Sequence, residues 1–144
     1  MIVQKLYIDK YKWTVTAYYA VTRYYVDEIM ENLERLCSED NYLEGAFRNL
    51  EKNSLDSGLT YSNFRKKESV LVVALASSAE QFHRALMHEA RHLQSHIATV
   101  YGINEKSEEV CYLLDDIVGK MHKATASLIC ECCRSKKSKH HGKD

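Results

Sequence analysis

Residues 69–92 constrain this chain more than any other stretch. Ser69 to Ala76 is nearly continuous in apolar, strand-favouring residues. A run of that kind and length is a strand covered on both faces. Ser77-Ser78 follows and offers a helix N-cap, with Glu80 three residues after Ser77 at capping-box spacing. From about Ser78 to Tyr101 the apolar residues Phe82, Leu86, Leu93 and Ile97 line one helical side, and Gly102 supplies a stop. The same helix carries His88-Glu89-Ala90-Arg91-His92, the pattern H-E-x-x-H.

At 3.6 residues per turn, positions i and i+4 stand one above the other. His88 and His92 can therefore grip one metal ion from a single turn, with Glu89 beside them to take a proton from metal-bound water. The metal expected is zinc, which makes water a nucleophile near neutral pH. A catalytic zinc takes three protein ligands, so a third donor is needed. His96 continues the row, but i to i+8 spans about 12 Å of helix, too far for the same ion. The better donors are Glu108 and Glu109, which open the next helix after a short Gly102–Ser107 connection. That connection turns the helix back, antiparallel to the first.

Elsewhere the period of two over Trp13, Val15, Ala17 and Tyr19 predicts a strand at about 12–21, with a shorter one over Ile2–Ile8. Asp9-Lys10 is a possible hairpin turn between them. Val26, Ile29, Met30, Leu33 and Leu36 predict a helix to about Cys37, and Tyr42–Asn49 a second short one. A short strand is expected near Leu59–Phe64. Ser107 caps a last long helix running to about Leu128, with Glu108 and Glu109 at its positive end. The expected class is α+β: a small mixed or antiparallel sheet packed with about four helices. Residues 1–133 form one domain. Residues 134–144 are a basic tail with nothing apolar to dock, expected to be disordered.

The 144 residues carry 20 basic and 20 acidic side chains. Zero formal charge argues against a nucleic-acid-binding surface. No apolar run reaches the roughly 18–20 residues that span a bilayer, so no membrane partner is expected. Met1–Lys5 does not begin a secretory signal. Five cysteines, three of them at Cys130, Cys132 and Cys133, do not make a disulfide framework, and a reducing cytoplasmic setting follows. The Cys130–Cys133 run with His140 and His141 could bind a second zinc. Its spacing is too tight for a zinc knuckle, and an exposed, oxidisable cluster at a helix end is preferred. Early tyrosines (Tyr7, Tyr11, Tyr18, Tyr19, Tyr24, Tyr25) suit an aromatic core or a homodimer surface.

With H-E-x-x-H followed by Glu108-Glu109-Val110-Cys111-Tyr112, the chain resembles the gluzincin branch of the zincin metallopeptidases. In that branch a later helix supplies a ligand glutamate, often as E-x-x-A-N or E-x-x-A-D. Cys111 stands at the small-residue position and Tyr112 at the Asn or Asp position, so the resemblance favours Glu108 as third ligand. It looks most like the compact minigluzincin type, over roughly Val70–Met121. Tyr112 departs from the pattern, since it cannot act as a carboxylate partner for a histidine; Asp115 or Asp116 could. The resemblance implies a hydrolase in which His88, His92 and Glu108 hold Zn²⁺ and Glu89 is the general base, cleaving a peptide or protein substrate. Tyr112, His83, His96 and Arg91 are the possible donors to the developing oxyanion. The alternative is a zincin-fold binding or assembly module without catalysis, of a kind phages or mobile elements could encode.

Overall fold

The protein is described by a computed structural model over residues 1–22, 26–36 and 58–133. Four strands make one mixed sheet in the order β1-β2-β4-β3: β1 Ile2–Ile8, β2 Trp13–Val21, β3 Gly58–Asn63 and β4 Glu68–Ala74. β1 and β2 pair as an antiparallel hairpin, β3 and β4 as another, and β2 and β4 lie parallel in the middle. Three helices complete the described fold: α1 Val26–Leu36, α2 Ala79–Tyr101 and α3 Glu108–Thr125. The α+β class read from the sequence is the class observed.

The period of two in β2 sorts its side chains onto two faces. Trp13, Val15, Ala17 and Tyr19 join Leu71 and Val73 of β4 under α2 and α3. Tyr18, Val70 and Val72 join Ile29, Leu33 and Leu36 of α1 on the other side. β4 is therefore covered on both faces, the reason its sequence reads as a continuous apolar run. Tyr11, Tyr18 and Tyr19 are core residues, whereas Tyr7 is exposed.

Several expectations shift at the element ends. The β1–β2 connection is a 3₁₀ turn, Asp9–Tyr11, closed by Lys12 in the left-handed region (φ 50°). β4 stops at Ala74 rather than Ala76. The N-cap of α2 is Ser78, whose hydroxyl accepts from the Gln81 N–H at 3.1 Å. The capping box expected from Ser77 and Glu80 is not used: Glu80 pairs with Arg84 and the Ser77 hydroxyl donates to Gln81. Gly102 (φ 62°) ends α2 and Ser107 caps α3, as the sequence predicts. α3 ends at Thr125, a turn short of Leu128. The predicted Tyr42–Asn49 helix, the end of the first helix at Cys37 and the 134–144 tail lie outside the described residues. Among the described residues no helix is long and apolar enough to cross a membrane.

Candidate metal centre

α2 lies against the sheet on Phe82, Leu86, Leu93 and Ile97, all buried. Successive helical residues turn by about 100°, so His88, His92 and His96 form a row beside this buried stripe. The His88 and His92 rings meet edge to face, 4.8 Å between centroids, with their Nε2 atoms 3.1 Å apart. His96 does not join them as a third donor. Its Nδ1 is 2.7 Å from the Ser62 hydroxyl and its ring packs against Phe64.

Glu89 points under the helix, towards edge strand β3. It is 2% exposed, and its Oε1 accepts from the Thr60 hydroxyl at 2.9 Å. Burial raises its carboxyl above the ordinary range; the Thr60 bond, His92 and His88 pull the other way. Burial, and the charge of His92, hold the His96 imidazole below its usual value.

Ser62 also begins a buried hydrogen-bond chain. Its hydroxyl lies 2.6 Å from that of Ser69, which accepts from Trp13 Nε1 at 2.8 Å. The polar residues Thr60 and Ser62 thus anchor Glu89 and His96 to the sheet. Sequence reasoning missed both. The available signal is alternation: Leu59 and Tyr61 pack on the α1 side, so Thr60 and Ser62, at the alternate positions, face α2. Ser69→Ala should leave the fully buried Trp13 N–H without its acceptor and cost about 1–3 kcal/mol in denaturant unfolding.

The proposed third ligand is not in this cluster. Gln94 Nε2 donates to the Val110 carbonyl at 2.7 Å, and Leu114 lines a hollow with His88, Arg91 and His92. These pairings run in opposite directions, so α2 and α3 are antiparallel as expected. The register, however, sets Leu114 rather than Glu108 opposite the histidine pair. Glu108 is exposed at the first turn of α3. Glu109, the other candidate, is committed elsewhere: it accepts from Tyr11 at 2.9 Å and pairs with Lys10 at 3.5 Å. Among the described residues no three His, Cys, Asp or Glu side chains converge as a metal-binding group.

The hollow beside the pair is about 560 Å³. His83, Arg84 and Met87 complete its wall, so an apolar floor lies under a basic rim. Of the expected oxyanion donors, His83 and Arg91 line it with the pair. Tyr112 is 66% exposed and lines a different hollow, with Asp9, Tyr11 and Glu109. Asp116 is held by Lys120 at 2.5 Å. No family model, curated protein or solved structure matches this chain.

Proposed function

We propose that the chain is a zinc-dependent hydrolase of peptide bonds, with His88 and His92 as metal ligands, Glu108 as the third and Glu89 as general base. The observation that carries this reading is the 3.1 Å between the two Nε2 atoms. Two nitrogens bound tetrahedrally at about 2.0–2.1 Å stand about 3.3 Å apart, so the pair fits one zinc ion. Bound zinc supplies a Lewis acid that makes water a nucleophile near neutral pH. The protein's own part is proton handling: the Glu89 carboxylate takes the proton of the attacking water and returns it to the leaving amine. A carboxyl raised by burial is better matched to that task than an ordinary one. Glu108 stands exposed at the first turn of α3, outside the cluster, and would complete the ligand set only if bound metal drew it toward the pair. The setting proposed is the cytoplasm, where cysteines stay reduced.

A second reading rests on Glu89. A carboxyl that is 2% exposed and bonded to Thr60 also suits a structural tie in a non-catalytic binding module. Elemental analysis of dialysed, tag-free protein comes first. One zinc per wild-type chain and none in His92→Ala supports the metal reading, and Glu108→Ala should lower zinc retention. Zinc that survives His92→Ala, or is absent from both, sinks it.

A further inference from the structure

The hollow beside the histidine pair carries positive charge and no negative charge of its own. Arg84 and Arg91 stand on its rim, and among the described residues no acidic side chain lines it. Arg84 already has a carboxylate partner: Glu80, one turn back, at 3.1 Å. Arg91 has none; among the described residues it enters no ion pair. Its partner is neutral. Arg91 Nη1 donates to Oε1 of Gln94, which is buried. The nitrogen of that amide, Nε2, donates to the Val110 carbonyl of α3 at 2.7 Å. Turning the amide over would set its oxygen against that carbonyl, so Oε1 must face Arg91. Arg91 is thus exposed, aimed and without a counter-charge.

We infer, building on the proposed peptide hydrolysis, that the hollow selects acidic peptides. The Arg91 guanidinium receives a carboxylate, and the floor of Met87 and Leu114 seats an apolar side chain next to it.

A guanidinium presents its N–H donors in a planar fork, and Gln94 engages only the Nη1 side of it. The remaining donors match the two oxygens of a carboxylate. A buried neutral amide fixes the direction of the fork without cancelling its charge, so less side-chain freedom is lost when a ligand binds. Arg84 can add a second contact, because its bond to Glu80 is an exposed pair that exchanges for a ligand at small cost. Met87 and Leu114 are half-buried, and an apolar side chain laid on them leaves water. His88 and His92 line the same hollow. A peptide seated this way runs past the histidine pair, and its carboxylate belongs to a residue beside the cleaved bond or to its own C-terminus. Arg91 thereby acts in choosing the substrate rather than in stabilising the oxyanion.

The test reads binding, not cleavage, on the full chain freed of metal. The probes are dye-labelled hexapeptides with a central leucine flanked by glutamate, glutamine or lysine, each with a free and with an amidated C-terminus. At about pH 8 an ordinary imidazole is neutral, which leaves arginine as the positive charge of the hollow. The amidated glutamate peptide should bind about tenfold tighter than the glutamine one. That gap should close in Arg91→Gln and be partly restored in Arg91→Lys. A preference that follows the free C-terminus instead, and is equally lost in Arg91→Gln, places the carboxylate at the peptide's end. A preference untouched by Arg91→Gln, equal weakening of every peptide by that change, or no measurable binding of any peptide would overturn the assignment. Absence of zinc or of cleavage would sink the hydrolase and leave this preference standing.

Discussion

Glu89→Gln should lower hydrolysis by about 10²–10⁴-fold, the usual contribution of a positioned general base, while zinc per chain stays as in the wild type. Glutamine keeps the shape of the side chain, and its amide oxygen can still accept from Thr60. It cannot take a proton from water. Neither His88 nor His92 is touched, so metal retention is unaffected. The metal-free protein gives a second readout. Burial raises the Glu89 carboxyl, so the folded state favours the neutral form more than the unfolded chain does. Its contribution to stability is present below the ordinary carboxylate pKa and is lost as pH rises through the raised one. Glutamine carries no such loss. The variant should therefore be the more stable protein at pH 7, and the two should converge as pH falls below the ordinary carboxylate range. Undiminished hydrolysis would remove Glu89 from the chemistry. Joint loss of zinc and of folding would make it a structural residue.

Gly58→Ala should be the most damaging single methyl group that can be added to the sheet. Gly58 opens edge strand β3 opposite Val73, with φ +153°. A Cβ there would stand 1.8 Å from the Val72 carbonyl oxygen of β4, an atom of a strand buried on both faces. Neither partner can yield cheaply, because the obstacle is backbone in a packed layer. A loss of roughly 3–4 kcal/mol is expected in urea unfolding. Shifting the start of β3 also displaces Thr60 two residues on, so Glu89 should lose its hydroxyl partner. A variant as stable as the wild type would mean that β3 does not hold this position against β4.

Much of this architecture is visible in residue order, because single elements announce themselves locally. The apolar run before Ser77 reads as a doubly covered strand from its length and its β-branched residues. Ser78, Gly102 and Ser107 are caps whose chemistry acts within a few residues. The histidine pair needs only the pitch of a helix. What was not legible depends on register between elements. The α2–α3 register is fixed by Gln94 holding the Val110 carbonyl and by Leu113 and Ile117 in the core. No spacing in the sequence reveals that this sets Leu114 beside His88 and His92 and leaves Glu108 outside the cluster. Glu109 reads as a ligand candidate from its place at the start of α3, yet its partner Tyr11 lies 98 positions away. The Trp13–Ser69–Ser62–His96 chain likewise joins β2, β4, β3 and α2, and each hydroxyl reads locally as an ordinary strand residue. Glu80 had capping-box spacing but sits beside Arg84 at i+4, and the ion pair formed instead.

The parallel pair at the centre of the sheet also sets an order of events. Ile8 and Trp13 close the β1–β2 hairpin across a few residues, whereas Thr14 meets Glu68 from 54 positions away. By loop-closure entropy alone the second encounter is harder by about 2 kcal/mol. The two hairpins are therefore local and early, and their joining through β2 and β4 is the slow, non-local event. α2 can dock its buried stripe only on a sheet already joined. Glu89 and His96 thus meet their supporting hydroxyls on β3 only at the end of folding, and metal captured by the histidine pair of an incomplete chain would lack a held Glu89.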